Sequence, residues 1–394
     1  MTTKRNPMKD RFAIAGAATT GFTAANTGRS RTAWAAEACI RVLHECGLHA
    51  ADVDGIVGST PEAPTMQAVL GIPEVTFFAT PAVPFVNHIA VAAAAVHSGL
   101  CDVVLAYHGA YRLAWNTSAA LRDPFRRSMA MGAAGGAPPP PESVNGAIGY
   151  TAWASRYLHE FEAKGVKREH FGLVSVNDRT NAGHNPGAAM RAPITLDDYL
   201  EARMIRWPLC LLDMDVAVDG ADAFVITTAE RAKDLPHRPV LINAVTLGMT
   251  GKNQEDQTPS LRDHGQQVVV KALRERSDFW TDGADLYYPY DGFTPITLNW
   301  FENSGWCGPG EAGAFLEQHW DSAANRIVIN SKVPVNTHGG ALSEGATQGS
   351  GHVREAVLQL QGRCGDRQVA GVRTALITAG GFFFNAQGLT LRTD

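Results

Sequence analysis

The sequence predicts an α/β fold in which one order of elements runs twice along the chain. Short apolar runs such as Phe12–Ala18 alternate with segments of helical spacing such as Thr32–Cys46, and this alternation is typical of strands covered by helices on both faces. The order strand, helix, strand, helix, strand, strand then repeats without visible sequence identity. We therefore expect two halves, residues 1–238 and 239–394, with an inserted segment at about 111–215 in the first.

The first half contains a helix that we expect in the middle of the molecule. Phe85–Val96 is so rich in alanine that it suits close packing against another backbone. Strands are predicted on either side of it, at Val53–Val57 and Cys101–Tyr107. The order of elements breaks at Tyr111–Ile148, which contains four consecutive prolines and is predicted to lie over the surface without a core of its own.

Further strands complete both halves. Asp219-Gly220-Ala221 is predicted as a turn before the strand Ala223–Thr228. In the second half the strands Val240–Thr246, Asp285–Tyr290 and Thr374–Ala379 alternate with helical patterns. We expect parallel strands from this alternation, because strand–helix–strand connections join parallel neighbours.

Composition narrows the classes of function. The chain has 394 residues and a net charge of −5, which argues against nucleic acid as the main partner because phosphate binding needs a basic face. Charged residues are 19% of the chain, below the usual quarter, which fits a large core and an oligomer interface. The longest apolar stretch, Ile89–Val96, is too short to span a bilayer.

The N-terminus and the cysteines indicate a cytoplasmic protein. Met1–Arg11 is polar and basic with no apolar segment behind it, so we expect no signal peptide. The cysteines are scattered with no CxxC pair, which predicts neither a metal site nor disulfides and agrees with a reducing cytosol. The six are Cys39, Cys46, Cys101, Cys210, Cys307 and Cys364.

The stretch that most suggests chemistry is the glycine-rich segment Pro334–His352. Its glycines are interleaved with carboxylate, imidazole and hydroxyl groups. It follows an apolar run and leads into the helical pattern Val353–Leu360, an order that is typical of the floor of an α/β active site. A long ordered loop without chemistry is the alternative, although loops of this length are usually functional.

Three ordered motifs resemble the thiolase superfamily, and within it the sterol-carrier-protein-x or lipid-transfer branch. Tyr290–Thr294 resembles the branch's HDCFS segment, and Asn336–Gly345 with His352–Gly362 resembles its NxxGG and QLxG segments. Pro208–Ala221 resembles the connection into the last strand of the first half. The resemblance implies two αβαβαββ halves in a five-layer α-β-α-β-α arrangement and a homodimer.

Four catalytic positions of a thiolase are nevertheless replaced. A thiolase needs a nucleophilic cysteine at the start of the buried helix, where this chain reads Pro81–His88. Tyr290 and Ala346 stand at the positions of the two histidines, and Thr378–Gly381 replaces the second cysteine region. Condensation through an acyl-cysteine is therefore not expected. A thiol elsewhere, such as Cys101, is the alternative.

The same losses make the chain resemble the steroid side-chain aldolases. These are thiolase-fold proteins that cleave a β-hydroxyacyl-CoA by a retro-aldol reaction, and they work with a small partner that has an OB fold and a zinc ribbon (the DUF35 type). The resemblance implies a coenzyme A thioester as substrate and no cofactor bound by this chain. Its proton transfers are assigned to tyrosines, of which Tyr290 matches one, and residues 336–352 contain no second. The rivals are an acyltransferase with another nucleophile and an inactive scaffold or lipid-carrier subunit.

Retro-aldol cleavage needs a base for the β-hydroxyl proton and stabilisation of the enolate. Tyr290 and His338 are the predicted catalytic residues, because a phenol at a strand end and an imidazole in the glycine-rich segment can both transfer protons. Structural packing is the alternative for each. The residues predicted to support them by lining the cavity or binding the oxyanion are Asn336, Asp291, Glu344, Gly339, Gly340 and His88.

One of these predictions depends on a condition, and two have a structural alternative. Glu344 acts as a base only if burial raises its pKa, Asn336 forms a turn equally well, and core packing competes for His88. Main-chain amides of the glycine-rich segment are expected to bind the thioester, since no P-loop motif occurs. The arginines predicted to meet the coenzyme A phosphates, unless they form a solvated face, are Arg122, Arg126 and Arg127.

Overall fold

A computed structural model describes residues 6–113, 146–250, 261, 264–381 and 385–393. Arg122, Arg126 and Arg127 lie outside these residues. The strands are β1 (Phe12–Thr23), β2 (Gly55–Ser59), β3 (Phe77–Ala79), β4 (Val104–Tyr111), β5 (Met204–Arg206), β6 (Leu209–Cys210), β7 (Asp219–Thr228), β8 (Val240–Gly248), β9 (Leu286–Pro289), β10 (Trp320–Asp321), β11 (Arg326–Ile329), β12 (Val333–Pro334), β13 (Thr374–Ala379) and β14 (Ala386–Arg392).

The α-helices of the described part alternate with these strands. They are α1 (Arg31–Glu45), α2 (Ala63–Leu70), α3 (Val86–His97), α4 (Gly146–Glu160), α5 (Arg168–Gly183), α6 (Leu196–Glu201), α7 (Ala229–Ala232), α8 (Gly265–Arg274), α9 (Thr294–Ser304), α10 (Ala312–Gln318) and α11 (Ser350–Leu360).

A mixed sheet of nine strands joins the two halves, in the order β3-β2-β4-β7-β1-β8-β14-β13-β9. The halves meet where β1 pairs with β8, with Ala13 opposite Leu241. A bridge between Tyr287 and Val335 adds the chain after β12 beside β9. Each half therefore has the same strand order from its edge to the joint, which confirms the duplicated fold. The boundary at residues 238 and 239 stays a prediction.

The parallel strands lie toward the two ends of this sheet. β2 is parallel to β3 and β4, and β9 is parallel to β13. The strands between them, from β4 through β7, β1, β8 and β14 to β13, pair antiparallel. The expectation of parallel strands therefore holds for the ends of the sheet and is wrong for its centre.

Two buried helices form the middle layer. The alanine-rich α3 packs on β2, β4 and β7 of the first half and on β8 and β14 of the second. Helix α11 likewise contacts strands of both halves. Helix α1 covers the outer face of the first half and α8 that of the second. The layers thus follow the α-β-α-β-α order, and the small side chains of α3 explain how strands of both halves approach it closely.

The turn predicted at Asp219-Gly220-Ala221 is wrong, because these residues begin β7. Gly220 is paired with Phe22 on one side and with Ala110 on the other. A Cβ at Gly220 would lie 2.4 Å from the Gly21 carbonyl oxygen. The glycine is therefore explained by close approach of two strands rather than by a change of chain direction.

Part of the segment predicted as an insertion is buried. Helix α5 packs against β11, α9 and α10 and against the turn at Gly340–Glu344. Its side chains at Asn177, Asp178 and Asn181 are almost fully buried. This part of the insertion, between residues 146 and 215, therefore contributes to the second-half core and to the candidate site.

Candidate active site

The glycine-rich segment folds into a buried turn. Gly340–Glu344 form one turn of π-helix, preceded by Gly339 with φ of +103°. A Cβ at Gly339 would lie 2.5 Å from the Ala182 Cβ, and one at Gly340 would lie 2.1 Å from Asp291 Oδ2. Both glycines thus allow α5 and Asp291 to approach the main chain, which no larger residue permits without displacement.

Asp291 is the fully buried centre of this turn. Its carboxylate accepts hydrogen bonds from the Ala341 amide at 2.8 Å, the Leu342 amide at 2.9 Å and His352 Nε2 at 2.9 Å. Burial raises the pKa of Asp291, and the bonds from His352 and the main chain outweigh it, so the pKa lies below its ordinary value. The amides of Ala341 and Leu342 are thus bound to Asp291, and binding of the thioester by other amides of the segment stays a prediction.

His352 is consequently fixed in one tautomer when neutral. Because an ionised Asp291 only accepts, His352 must carry its proton on Nε2. Its Nδ1 is buried and has no hydrogen-bond partner among the described residues. An imidazole held this way can accept a proton at Nδ1 while the carboxylate stabilises the imidazolium. Sequence reasoning singled out Tyr290 and His338 for proton transfer and missed His352.

A second carboxyl group lies beside Asp291. Asp178, on α5, is buried and accepts a hydrogen bond from Asn177 Nδ2 at 2.9 Å. Burial and the charge of Asp291 raise the pKa of Asp178 well above its ordinary value. Two buried carboxyl groups this close do not both ionise, so Asp178 keeps its proton at neutral pH. Sequence reasoning missed Asp178 because a helical aspartate is ordinarily solvated.

Glu344 satisfies the condition for a buried base. Its Oε1 accepts hydrogen bonds from Asn185 Nδ2 at 2.7 Å and from Arg354. Its Oε2 has no hydrogen-bond partner within the described residues and lies 3.9 Å from His338 Nε2. Burial raises the pKa of Glu344 to about 7, although Arg354 partly offsets it. Such a carboxyl group exchanges protons near neutrality.

The rings of the two predicted catalytic residues lie in one row with those of their neighbours. Tyr290 is 5.7 Å from His352, His352 is 4.7 Å from His338, and His338 is 5.8 Å from Tyr288, measured between ring centroids. Burial and the neighbouring His352 lower the pKa of His338 well below its ordinary value. His338 is therefore neutral, and both ring nitrogens lack hydrogen-bond partners in the described structure.

Tyr290 lies where the sequence placed it, directly after β9. Its amide donates to the Thr378 carbonyl at 2.8 Å, which ties it to the neighbouring strand β13. A Cβ on Gly292 would lie 2.6 Å from Tyr290 Cε1, so the phenol ring covers that glycine. Asn336 has φ of +48° and its Nδ2 donates to the Pro289 carbonyl at 3.1 Å. The Asn336 amide therefore anchors the segment to the end of β9.

The replaced thiolase positions converge at the start of α3. The Phe85 amide donates to the Gln348 carbonyl at 2.9 Å, and a Cβ on Gly380 would meet Pro84 Cγ at 3.0 Å. His88, in the first turn of α3, is bonded to Ser59 and not to the Tyr290 row. The start of α3, the glycine-rich segment and the end of β13 thus border one region of the molecule.

The buried thiols are poor candidates for a replacement nucleophile. Burial and the charges of Asp54 and Asp102 raise the pKa of Cys101 to about 12, and burial also raises the pKa of Cys39 and Cys364. A thiol with a raised pKa is protonated at pH 7 and inert. Among the described residues, no three His, Cys, Asp or Glu side chains form a group that could hold a metal ion.

The repeated halves, the two central helices and the polar groups at their first turns define a thiolase-like protein that lacks the acyl-cysteine machinery. Comparison with known proteins agrees with this class. The family described as Thiolase C-terminal domain-like matches residues 252–392. No helix in the described ranges is long and apolar enough to cross a membrane.

Two curated relatives and one solved structure show which group of thiolase-like proteins this chain resembles. A 17-hydroxy-3-oxo-4-pregnene-20-carboxyl-CoA lyase of Mycobacterium tuberculosis is 35% identical over 93% of this chain and 96% of its own length. A steroid side-chain-cleaving aldolase of Thermomonospora curvata is 34% identical over 93% and 94%. The structure of an Ltp2-ChsH2(DUF35) aldolase superposes with a TM-score of 0.84 at 30% identity over 98% of this chain and 99% of that one. The chain belongs to the thiolase-like family of steroid side-chain-cleaving aldolases.

Proposed function

We propose that this protein is a carbon–carbon lyase that cleaves the β-hydroxyacyl side chain of a steroid, or of a similarly bulky acyl group, as its coenzyme A thioester. The observation that carries the proposal is the position of Tyr290 beside the buried His352–Asp291 pair. This arrangement supplies proton transfer without a nucleophile, in a chain with no thiol at the start of α3. The reactions named for its relatives support the substrate class.

Acid–base side chains are sufficient for the retro-aldol step, because every proton and electron pair in it is accounted for. A base removes the β-hydroxyl proton, the hydroxyl electrons form a carbonyl, and the bond between the α and β carbons breaks. Its electrons form the enolate of the thioester, which then takes a proton at the α carbon. The products are a ketone and a shorter acyl-CoA. Tyr290 transfers the hydroxyl proton, and His352 accepts it on Nδ1 while Asp291 stabilises the resulting charge.

Glu344 is the remaining proposed acid–base group of the site. Because its pKa is about 7, it can donate a proton or accept one at physiological pH, which suits return of a proton to the enolate carbon. His338 lies between Glu344 and His352 and is neutral, so it can pass a proton between them. Tyr290 thus acts in the first proton transfer of the reaction, and Glu344 acts in the last.

A small DUF35-type protein is the proposed partner. The structural relative is named as a complex of an aldolase with such a protein, and the match extends over nearly the whole of this chain. A homodimeric assembly and a cytoplasmic location stay predictions. So does the role of Arg122, Arg126 and Arg127 in binding coenzyme A.

The test removes the hydroxyl of Tyr290 and keeps its aromatic ring. We expect Tyr290→Phe to lower kcat for cleavage of a β-hydroxyacyl-CoA by about 100-fold or more, because general acid–base groups typically contribute that much. The assay follows ketone release with the DUF35-type partner present. Tyr287→Phe is the matched control, since the Tyr287 hydroxyl lies next to Ser304 and Thr378 and serves packing. Wild-type turnover by Tyr290→Phe would remove Tyr290 from the mechanism.

A further inference from the structure

One hydroxyl and two imidazoles meet in the first half, on the face that is turned toward the central helices. Ser59 at the end of β2 and His108 on β4 are in-register neighbours on parallel strands. His88 approaches them from the first turn of α3. Ser59 Oγ lies 3.0 Å from His88 Nε2 and 3.0 Å from His108 Nδ1. We call these three residues the serine cluster.

Proton counting restricts what the serine cluster can do. A hydroxyl has one proton and two lone pairs, so Ser59 can accept an N–H from each neutral imidazole and keep its own O–H for a third group. Burial lowers the pKa of His108 to about 4 and that of His88 well below its ordinary value. Both rings are therefore neutral at pH 7. Such rings hold a hydroxyl in place but have little tendency to remove its proton, so they do not make Ser59 a strong nucleophile.

The serine cluster adjoins the candidate active site. Asp222 is the cross-strand partner of His108, and its carboxylate accepts from Ser350 Oγ at 2.6 Å and from Arg354 Nη1 at 2.6 Å. Arg354 also binds Glu344. One arginine thus connects the surroundings of His108 with the buried carboxyl group of the site.

Two observations indicate that a ligand meets this cluster. The side chain of His88 is fully buried, yet its Nδ1 has no hydrogen-bond partner among the described residues. The ring is held by stacking on Phe85 at 4.8 Å between centroids. Ser59 is only half-buried, so its hydroxyl is the member that an entering substrate can reach. A rigidly held neutral donor next to an active site is suited to stabilise a developing oxyanion.

We propose that Ser59 contacts the thioester carbonyl oxygen of the substrate and donates a hydrogen bond to it as the enolate forms. The inference rests on the proposed function and assigns the enolate-binding group within it. Ser59 makes and breaks no covalent bond in this step, since it offers its O–H to the oxygen that gains negative charge. His88 and His108 are positioning residues that orient the hydroxyl.

The experiment measures enolate formation apart from carbon–carbon cleavage. Propionyl-CoA is incubated in D₂O with the full chain and its DUF35-type partner, and deuterium uptake at the α carbon is followed by mass spectrometry. We expect wild-type protein to catalyse this exchange and Ser59→Ala to slow it at least ten-fold. Ser59→Thr keeps the hydroxyl and should retain most of the exchange. Ser98→Ala, which removes an exposed hydroxyl just after α3, should match wild type.

Three results would overturn the inference. Exchange at the wild-type rate by Ser59→Ala, absence of exchange by wild-type protein, or a covalent acyl adduct on Ser59 in quenched samples would each exclude the proposed role. Thermal midpoints check folding, and Ser59→Gly repeats the deletion if Ser59→Ala is destabilised. Cleavage of a β-hydroxyacyl-CoA is measured in the same preparations. Wild-type protein that exchanges but does not cleave would contradict the aldolase proposal and leave the role of Ser59 in place.

Discussion

At the level of single residues, the hydrogen bonds available inside a buried site set the pKa of its carboxyl groups. Asp291 and Glu344 are both almost completely buried, but Asp291 receives three hydrogen bonds while Oε2 of Glu344 receives none among the described residues. Asp291 therefore stays ionised, whereas Glu344 has a pKa of about 7. Two similar side chains thus differ in their pKa, and of the two only Glu344 is suited to gain or lose a proton near pH 7.

The raised pKa of Glu344 predicts a dependence of stability on pH. Folding favours its protonated form, so this contribution is full below pH 4.5 and is lost as the pH rises to about 7. The difference between these pKa values corresponds to about 3 kcal/mol. We expect wild-type protein to lose more stability than Glu344→Gln between pH 5 and pH 8, as measured by thermal midpoints. Glu230→Gln, at an exposed pair with Lys233, is the control. Equal losses in wild type and Glu344→Gln would contradict the prediction.

The sequence could predict single positions but not their partners. Tyr290 was singled out because it ends an apolar run, and that signal is local. The pairing of His352 with Asp291 joins residues 61 positions apart, and no local pattern indicates it. Ser59 and His108 were missed for the same reason, since each reads as an ordinary strand residue until β2 and β4 are placed side by side.

At the level of elements, the π-helical turn at Gly340–Glu344 sets the geometry of the site. It presents two successive amides to Asp291 and directs Glu344 toward Arg354. The sequence indicated an unusual backbone through its glycines, and this was correct. The burial of the turn was not predicted, because α5 packs on it from a part of the chain that was predicted as insertion.

Gly340→Ala should disrupt this turn. Its φ of +60° and the 2.1 Å approach of a Cβ to Asp291 Oδ2 predict a loss of at least about 2 kcal/mol in unfolding free energy. Activity should fall as well, because Asp291 must move. Chemical denaturation and the cleavage assay measure the two effects.

Gly99→Ala is the matched control for this substitution. Gly99 has φ of +69° and open space around its Cβ position, so only the backbone cost of about 1 kcal/mol applies. If both variants lose the same amount, the close approach at Gly340 does not matter.

At the level of the whole molecule, one buried arginine forms ion pairs with carboxyl groups of both halves. Arg354 binds Asp222 on β7 of the first half and Glu344 in the second, and all three side chains are almost completely buried. The duplicated order of elements along the chain could be predicted from the sequence and from the resemblance. The ion cluster of Arg354, Asp222 and Glu344 could not be predicted, because it depends on how the strands of the two halves lie against the central helices.

Arg354→Met should be strongly destabilising. It leaves Asp222 without its buried cation and Glu344 without its strongest donor, and loss of one member of a buried ion pair typically costs about 3–5 kcal/mol. Denaturation midpoints test this. Arg363→Met removes a half-exposed pair with Glu45 and should cost less than about 1 kcal/mol. A similar small loss for both would show that the cluster does not support the fold.

The shared arginine also constrains how the sequence can evolve. A single guanidinium pairs with a carboxyl group from each half. The loss of one of these three side chains in one half therefore requires a compensating substitution in the other. Repeated halves of a protein usually drift apart in sequence at their own pace. Here Asp222, Glu344 and Arg354 must be inherited as a set, and we expect covariation among these three positions across relatives to exceed that of the strands around them.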